Sequence, residues 1–140
     1  MTVQGSHGVG QAALRARGVL EEGAGSSIVM RVPGTDYRLR LGVYKPVDTP
    51  VGKRLVGIVR ASARRIDVVG TGGEYIEPVY GEPRRMQGSV LAVDAADQTI
   101  TVKACVPVQV KVGAGQRAEQ FAVGQMVAFD VLSGTSFLPA

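Results

Sequence analysis

Ile100-Thr101-Val102-Lys103-Ala104-Cys105-Val106-Pro107-Val108-Gln109-Val110-Lys111-Val112 places seven apolar side chains at every second position. In an extended chain successive side chains point to opposite faces, so Ile100, Val102, Ala104, Val106, Val108, Val110 and Val112 share one side. The other side, Thr101, Lys103, Cys105, Pro107, Gln109 and Lys111, is mostly polar. That division predicts a half-buried β-strand, with Pro107 as the expected break or bend because proline has no N–H for a strand ladder.

The same period extends in both directions. Upstream, Met86, Gly88, Val90 and Ala92 line one face and Asp94 to Gln98 forms a short polar connection. Downstream, a loop with one helical turn is expected within 113–121, and Val127, Phe129 and Val131 alternate in the strand that follows. Nearer the N-terminus, Ile28, Met30 and Val32 share a side, as do Tyr37, Leu39, Leu41 and Val43, with Pro33-Gly34 between them. Arg54–Ala61 and Arg65–Val69 are expected as separate strands, Gly70–Gly73 as a turn, and Glu74–Tyr80 as a strand interrupted at Pro78. A faint echo relates residues 54–80 to 85–112, with Arg54-Leu55-Val56-Gly57 set against Arg85-Met86-Gln87-Gly88.

The first 26 residues differ. Six glycines, Gly5, Gly8, Gly10, Gly18, Gly23 and Gly25, surround a short helix expected over Gln11–Glu22. The domain reading is therefore an N-terminal arm, 1–26, and one domain, 27–140, as suits a chain of 140 residues.

Gly88-Ser89-Val90-Leu91-Ala92-Val93-Asp94, Thr99-Ile100-Thr101-Val102 and Gly124-Gln125-Met126-Val127-Ala128-Phe129 together resemble the small OB-type β-barrel over residues 84–132. The expected fold is all-β: a small closed or partly open OB-like β-barrel with an N-terminal arm that has room for one short helix. The resemblance implies a binding face for single-stranded nucleic acid, oligosaccharide or protein, by analogy of fold.

Sixteen basic and 12 acidic residues give a net charge of +4. Residues 1–93 carry 13 basic and 8 acidic groups, and 94–140 carry 3 and 4, so the positive charge lies upstream. Arginine supplies twelve of the cations, which suits planar hydrogen bonding to phosphate or carboxylate. A single cysteine, Cys105, rules out an internal disulfide and a cysteine-rich metal site. No long apolar run suggests a membrane helix, so a cytoplasmic location without membrane contact is expected.

Catalytic signatures are weak. His7 has no His or Cys partner at metal-site spacing, Cys105 has no identifiable base, and the glycine clusters do not match a phosphate-binding fingerprint. Asp94 and Asp97 suit turn capping, and Glu74 with Glu77 form the remaining carboxylate pair. Neither catalysis nor a metal or other cofactor is expected.

Two binding readings follow. The first is a non-catalytic assembly or scaffold protein, a homo-oligomer or partner of another protein, that uses a strand edge and the apolar residues Leu14, Leu20, Met30, Val56 and Ile58. The alternative is a single-stranded nucleic-acid-binding module. Arg38, Arg40, Lys53, Arg54, Arg60, Arg64 and Arg65 would then track phosphates, and Tyr44, which shares parity with Arg38 and Arg40, would stack on a base.

Overall fold

The alternation at Ile100–Val112 folds as two strands of a hairpin. The computed structural model describes residues 10–140. In it the chain reverses at Cys105, whose φ of 66° lies in the left-handed region, and Ala104 pairs with Val106 across it. The break therefore falls two residues before the expected one. Pro107 is held within the second strand opposite Lys103, at an end where pairing to the strand on the other side has not yet begun.

Eleven strands are present among the described residues: β1 Ala16–Ala24, β2 Ser27–Arg31, β3 Arg38–Gly42, β4 Arg54–Val69, β5 Tyr75–Glu77, β6 Tyr80–Gly81, β7 Arg85–Asp94, β8 Thr99–Ala104, β9 Val106–Lys111, β10 Met126–Val131 and β11 Ser136–Pro139. They form one mixed sheet in the order β1-β2-β3-β11-β4-β10-β7-β8-β9, with β5 on β7 and β6 on β3. This pairing overturns the expected OB-like barrel. Residues 84–132 do not form a self-contained OB-type unit, because β9 and β10 both pair with β4, upstream of the segment that carried the resemblance.

β4 organises the sheet. Its first residues pair antiparallel with β1 and then with β11, and farther along it runs parallel to β9 and antiparallel to β10. The meanders β1-β2-β3 and β7-β8-β9 are thus tied to one 16-residue strand. The two strands expected over Arg54–Ala61 and Arg65–Val69 are this single element. A register shift against β10 changes the parity of burial between Ala63 and Ile66, leaving Arg64 and Arg65 both exposed. The echo between 54–80 and 85–112 is not a structural repeat: Ile66–Val68 continue β4, whereas Ile100–Val102 belong to the separate strand β8.

The expected N-terminal helix is also corrected. Gln11–Leu14 form one short 3-10 turn, and the chain from Ala16 is strand β1. Ala16, Gly18 and Leu20 are buried while Arg17 is exposed, a period of two that the good helix formers of this stretch obscure. Gly18 is required by packing, since a Cβ there would overlap the Met30 side chain and approach the Arg31 carbonyl oxygen at 2.9 Å.

One apolar cluster runs through the sheet. Ile100, Val102, Val108, Val110 and Phe129 are buried in it, and Val131 packs against its margin. Met86, Ile66, Leu39, Leu41, Met30 and Phe137 complete much of the interior. The interruption at Pro78 occurs as expected, dividing β5 from β6, and Ala118–Gln120 supply the expected helical turn as 3-10 helix. No helix among the described residues is long and apolar enough to cross a membrane.

Candidate nucleic-acid interface

Because Leu55, Val59, Ala61 and Ala63 of β4 turn inward, Arg60 and Ser62 turn outward. Pairing extends this polar face sideways. Thr101 on β8 lies opposite Gln109 on β9, Gln109 beside Arg60, and Arg60 opposite Ser136 on β11. One step along, Thr99 lies opposite Lys111 and Lys111 beside Ser62. Two cross-strand rows therefore present hydroxyl, carboxamide, guanidinium and ammonium groups together.

All of these residues except Thr101 line an open groove of about 660 Å³. Ala96, Asp97 and Gln98, from the β7–β8 turn, make one wall, while Gly134, Ser136 and Tyr44 contribute to the lining elsewhere. Tyr44 is 87% exposed, the most exposed of the large apolar or aromatic side chains. Among the described residues Arg60 makes no ion pair or side-chain hydrogen bond, and the side chains of Gln109, Thr99, Ser62 and Ser136 also find no partner. Lys111 Nζ donates only to the Asp97 carbonyl oxygen, at 3.1 Å. The groove thus keeps two cations and several hydrogen-bonding groups available.

The turn wall is braced from behind. Gln98, at φ 55°, accepts from the Ala118 N–H at 2.9 Å and donates to the Ala95 carbonyl and to Glu119 Oε1, both at 2.8 Å. Hydrogen bonds from Gln98 and then Arg117 hold the Glu119 carboxyl down to about 2. Nearby, Gln116 substitutes for a strand neighbour: its side chain accepts from the Ile66 N–H and donates to the Ile66 carbonyl, each at 2.8 Å.

The other nominated cations have different surroundings. Arg38 Nε donates to Glu21 Oε1 at 2.9 Å, and Arg31 contacts the other oxygen of that carboxylate at 3.1 Å. Arg40 lies 3.8 Å from Glu22 and donates to Ser27 Oγ at 3.3 Å. Arg65 pairs with Asp67 at 3.2 Å. Lys53, Arg54 and Arg64 are exposed; Arg64 shares the outward face of β4 with Arg60, but neither it nor Lys53 or Arg54 lines the groove. The track expected from eight residues is therefore reduced, within this groove, to Tyr44 and Arg60. Lys111, Gln109 and Thr99 join them; the polar side of Gln109 and Lys111 was legible, but the neighbours of all three across the sheet were not.

The residues nominated for assembly also divide. Leu20 and Met30 lie inside the core of their own chain. Val56 and Ile58 are half-buried on β4, whose first half already has β1 and β11 as neighbours, and Leu14 lies over the β8–β9 face. From Gly57 to Arg60, β4 therefore carries β11 on one side, with β1 ending and β9 beginning on the other, which leaves little free edge along the segment that motivated strand addition.

Of the remaining candidates, Glu74 accepts from the Cys105 N–H at 2.9 Å and from Lys103 Nζ at 3.3 Å. Burial pushes the Cys105 thiol up from its ordinary value. Glu77 lines a different recess with Tyr80, Glu82, Arg84, Arg85 and Asp130, where Arg85 donates to Asp130 at 3.0 Å. Asp97 donates its N–H to Asp94 Oδ1 at 3.1 Å, the expected turn bond. No group of three or more His, Cys, Asp or Glu able to hold a metal occurs among the described residues, and His7 lies outside them. No protein-family model, curated protein or solved structure matches this chain.

Proposed function

We propose that the groove over β4, β8, β9 and β11 binds single-stranded nucleic acid. The observation that carries this reading is that Arg60 and Lys111 open on one groove free of ion pairs among the described residues, with Tyr44 at its margin. Cations already paired to carboxylates must give up those contacts to meet phosphate, whereas unpaired ones need shed only water and counterions. An exposed ring adds a sequence-tolerant stacking surface for an unpaired base. The net charge of +4 favours approach of a polyanion. Duplex binding is less suited to this arrangement, because its bases are stacked inside and cannot reach Tyr44.

Fluorescence anisotropy with labelled single-stranded DNA and RNA dodecamers tests the reading. Joint Arg60→Gln and Lys111→Gln substitution lowers low-salt affinity on the order of 100-fold, since each contact to a charged group contributes roughly 1.5 kcal/mol or more. Absence of binding by the unmodified protein at low salt, or binding indifferent to both substitutions, would reject it.

A further inference from the structure

Thr101 occupies an outward position on β8 yet is only 7% exposed. Its hydroxyl has no hydrogen-bond partner among the described residues. It lines a recess of about 200 Å³ with Gln11, Leu14, Ala92, Asp94, Thr99 and Gln109. Thr99 and Gln109 also line the large groove, so the recess opens beside the proposed path of the strand. A cavity of about 150 Å³ accommodates benzene, which makes this space suitable for one flat ring but not for a whole nucleotide.

We propose that the recess receives a nucleobase and selects one that carries an exocyclic amine over thymine or uracil. This inference rests on the nucleic-acid reading of the groove. Asp94 Oδ1 accepts the Asp97 N–H, which leaves the other carboxylate oxygen as an acceptor with no protein partner among the described residues. An ionised carboxylate can only accept, so it is satisfied by an N–H donor and repelled by a carbonyl oxygen. Cytosine offers its N4 amine beside an acceptor nitrogen, whereas thymine and uracil flank their single N–H with two carbonyl oxygens. The Thr101 hydroxyl and the Gln109 carboxamide can each donate as well as accept, and they complete the edge of the ring. Arg60 and Lys111 meanwhile hold the adjoining phosphates in the groove.

Anisotropy titrations with oligo(dC) and oligo(dT) dodecamers hold length and charge constant and compare two single-ring bases. The unmodified protein binds oligo(dC) about tenfold more tightly, on the scale of one hydrogen bond to a charged group. Asp94→Asn keeps the oxygen that caps the turn but places a donor in the recess, and Thr101→Val keeps shape while removing the hydroxyl. Both bring the ratio toward one with oligo(dT) affinity little changed. Equal affinity for the two oligomers, or a preference for oligo(dC) that survives both substitutions, overturns base selection by this recess. If binding still depends on Arg60 and Lys111 in that case, the groove reading stands alone; if neither oligomer binds, both readings fall.

Discussion

The outer face of β1–β3 and the groove over β4, β8, β9 and β11 carry similar cations in different states. On the first, Arg31, Arg38 and Arg40 share Glu21 and Glu22, and the Tyr80 hydroxyl donates to Glu22 at 3.2 Å. In the second, Arg60 has no such partner among the described residues, and Lys111 meets only a backbone carbonyl. Counting arginines along a sequence treats these regions alike. What separates them is which carboxylates the sheet brings alongside, and that decides whether a cation is already satisfied.

Charge reversal gives the largest expected effect. Arg60→Glu lowers affinity for single strands on the order of 100-fold, through loss of one charge-assisted contact and gain of repulsion, while Arg40→Glu changes it less than about threefold. Anisotropy at low salt compares them, and equal losses would erase the distinction between the faces. A second substitution separates support from contact. Gln116→Ala strands the Ile66 N–H and carbonyl and destabilises the fold by roughly 2 kcal/mol in urea unfolding, yet leaves affinity unchanged where the protein remains folded.

Tyr44→Ala weakens binding about tenfold, the scale of one base stacked on an aromatic ring, with no loss of thermal stability because the ring is so exposed. The smallest effect concerns the groove wall. Glu119 titrates near 2 rather than 4.5, so its contribution to stability is present above the ordinary value and is lost as pH falls through that interval toward about 2. Carboxyl shifts followed by NMR locate this titration, and Gln98→Ala moves it back toward 4.5.

Much of the β character was legible because burial on one face leaves a period of two in the chain, clearest at Ile100–Val112 and repeated at Met86–Ala92 and Val127–Val131. β1 was not, since Ala12, Ala13, Leu14, Leu20, Glu21 and Glu22 all favour helix, and only the Ala16, Gly18, Leu20 alternation records the strand. Reading that stretch as a helix also hid the partners of Arg38 and Arg40. The expected barrel failed for another reason. Strand alternation specifies faces but not neighbours, and the pairing of β4 with β9, β10 and β11 joins residues distant in sequence.

For the site, parity set Tyr44 with Arg38 and Arg40 and placed Gln109 and Lys111 on a polar side, while Arg60 stood out by its charge alone. It did not show that the parallel register sets Arg60 beside Gln109 and Ser62 beside Lys111. That juxtaposition, rather than any local motif, makes the groove.

The most direct test is the salt dependence of single-strand affinity in three proteins: the unmodified chain, the Arg60→Gln/Lys111→Gln variant and the Arg38→Gln/Arg40→Gln variant. Each phosphate contact contributes about 0.7 to the slope of log affinity against log salt for a single strand, so the groove variant loses about 1.4 and the β3 variant retains the original slope. A loss confined to the β3 variant, or the same slope in all three, would contradict the assignment of phosphate contact to the groove.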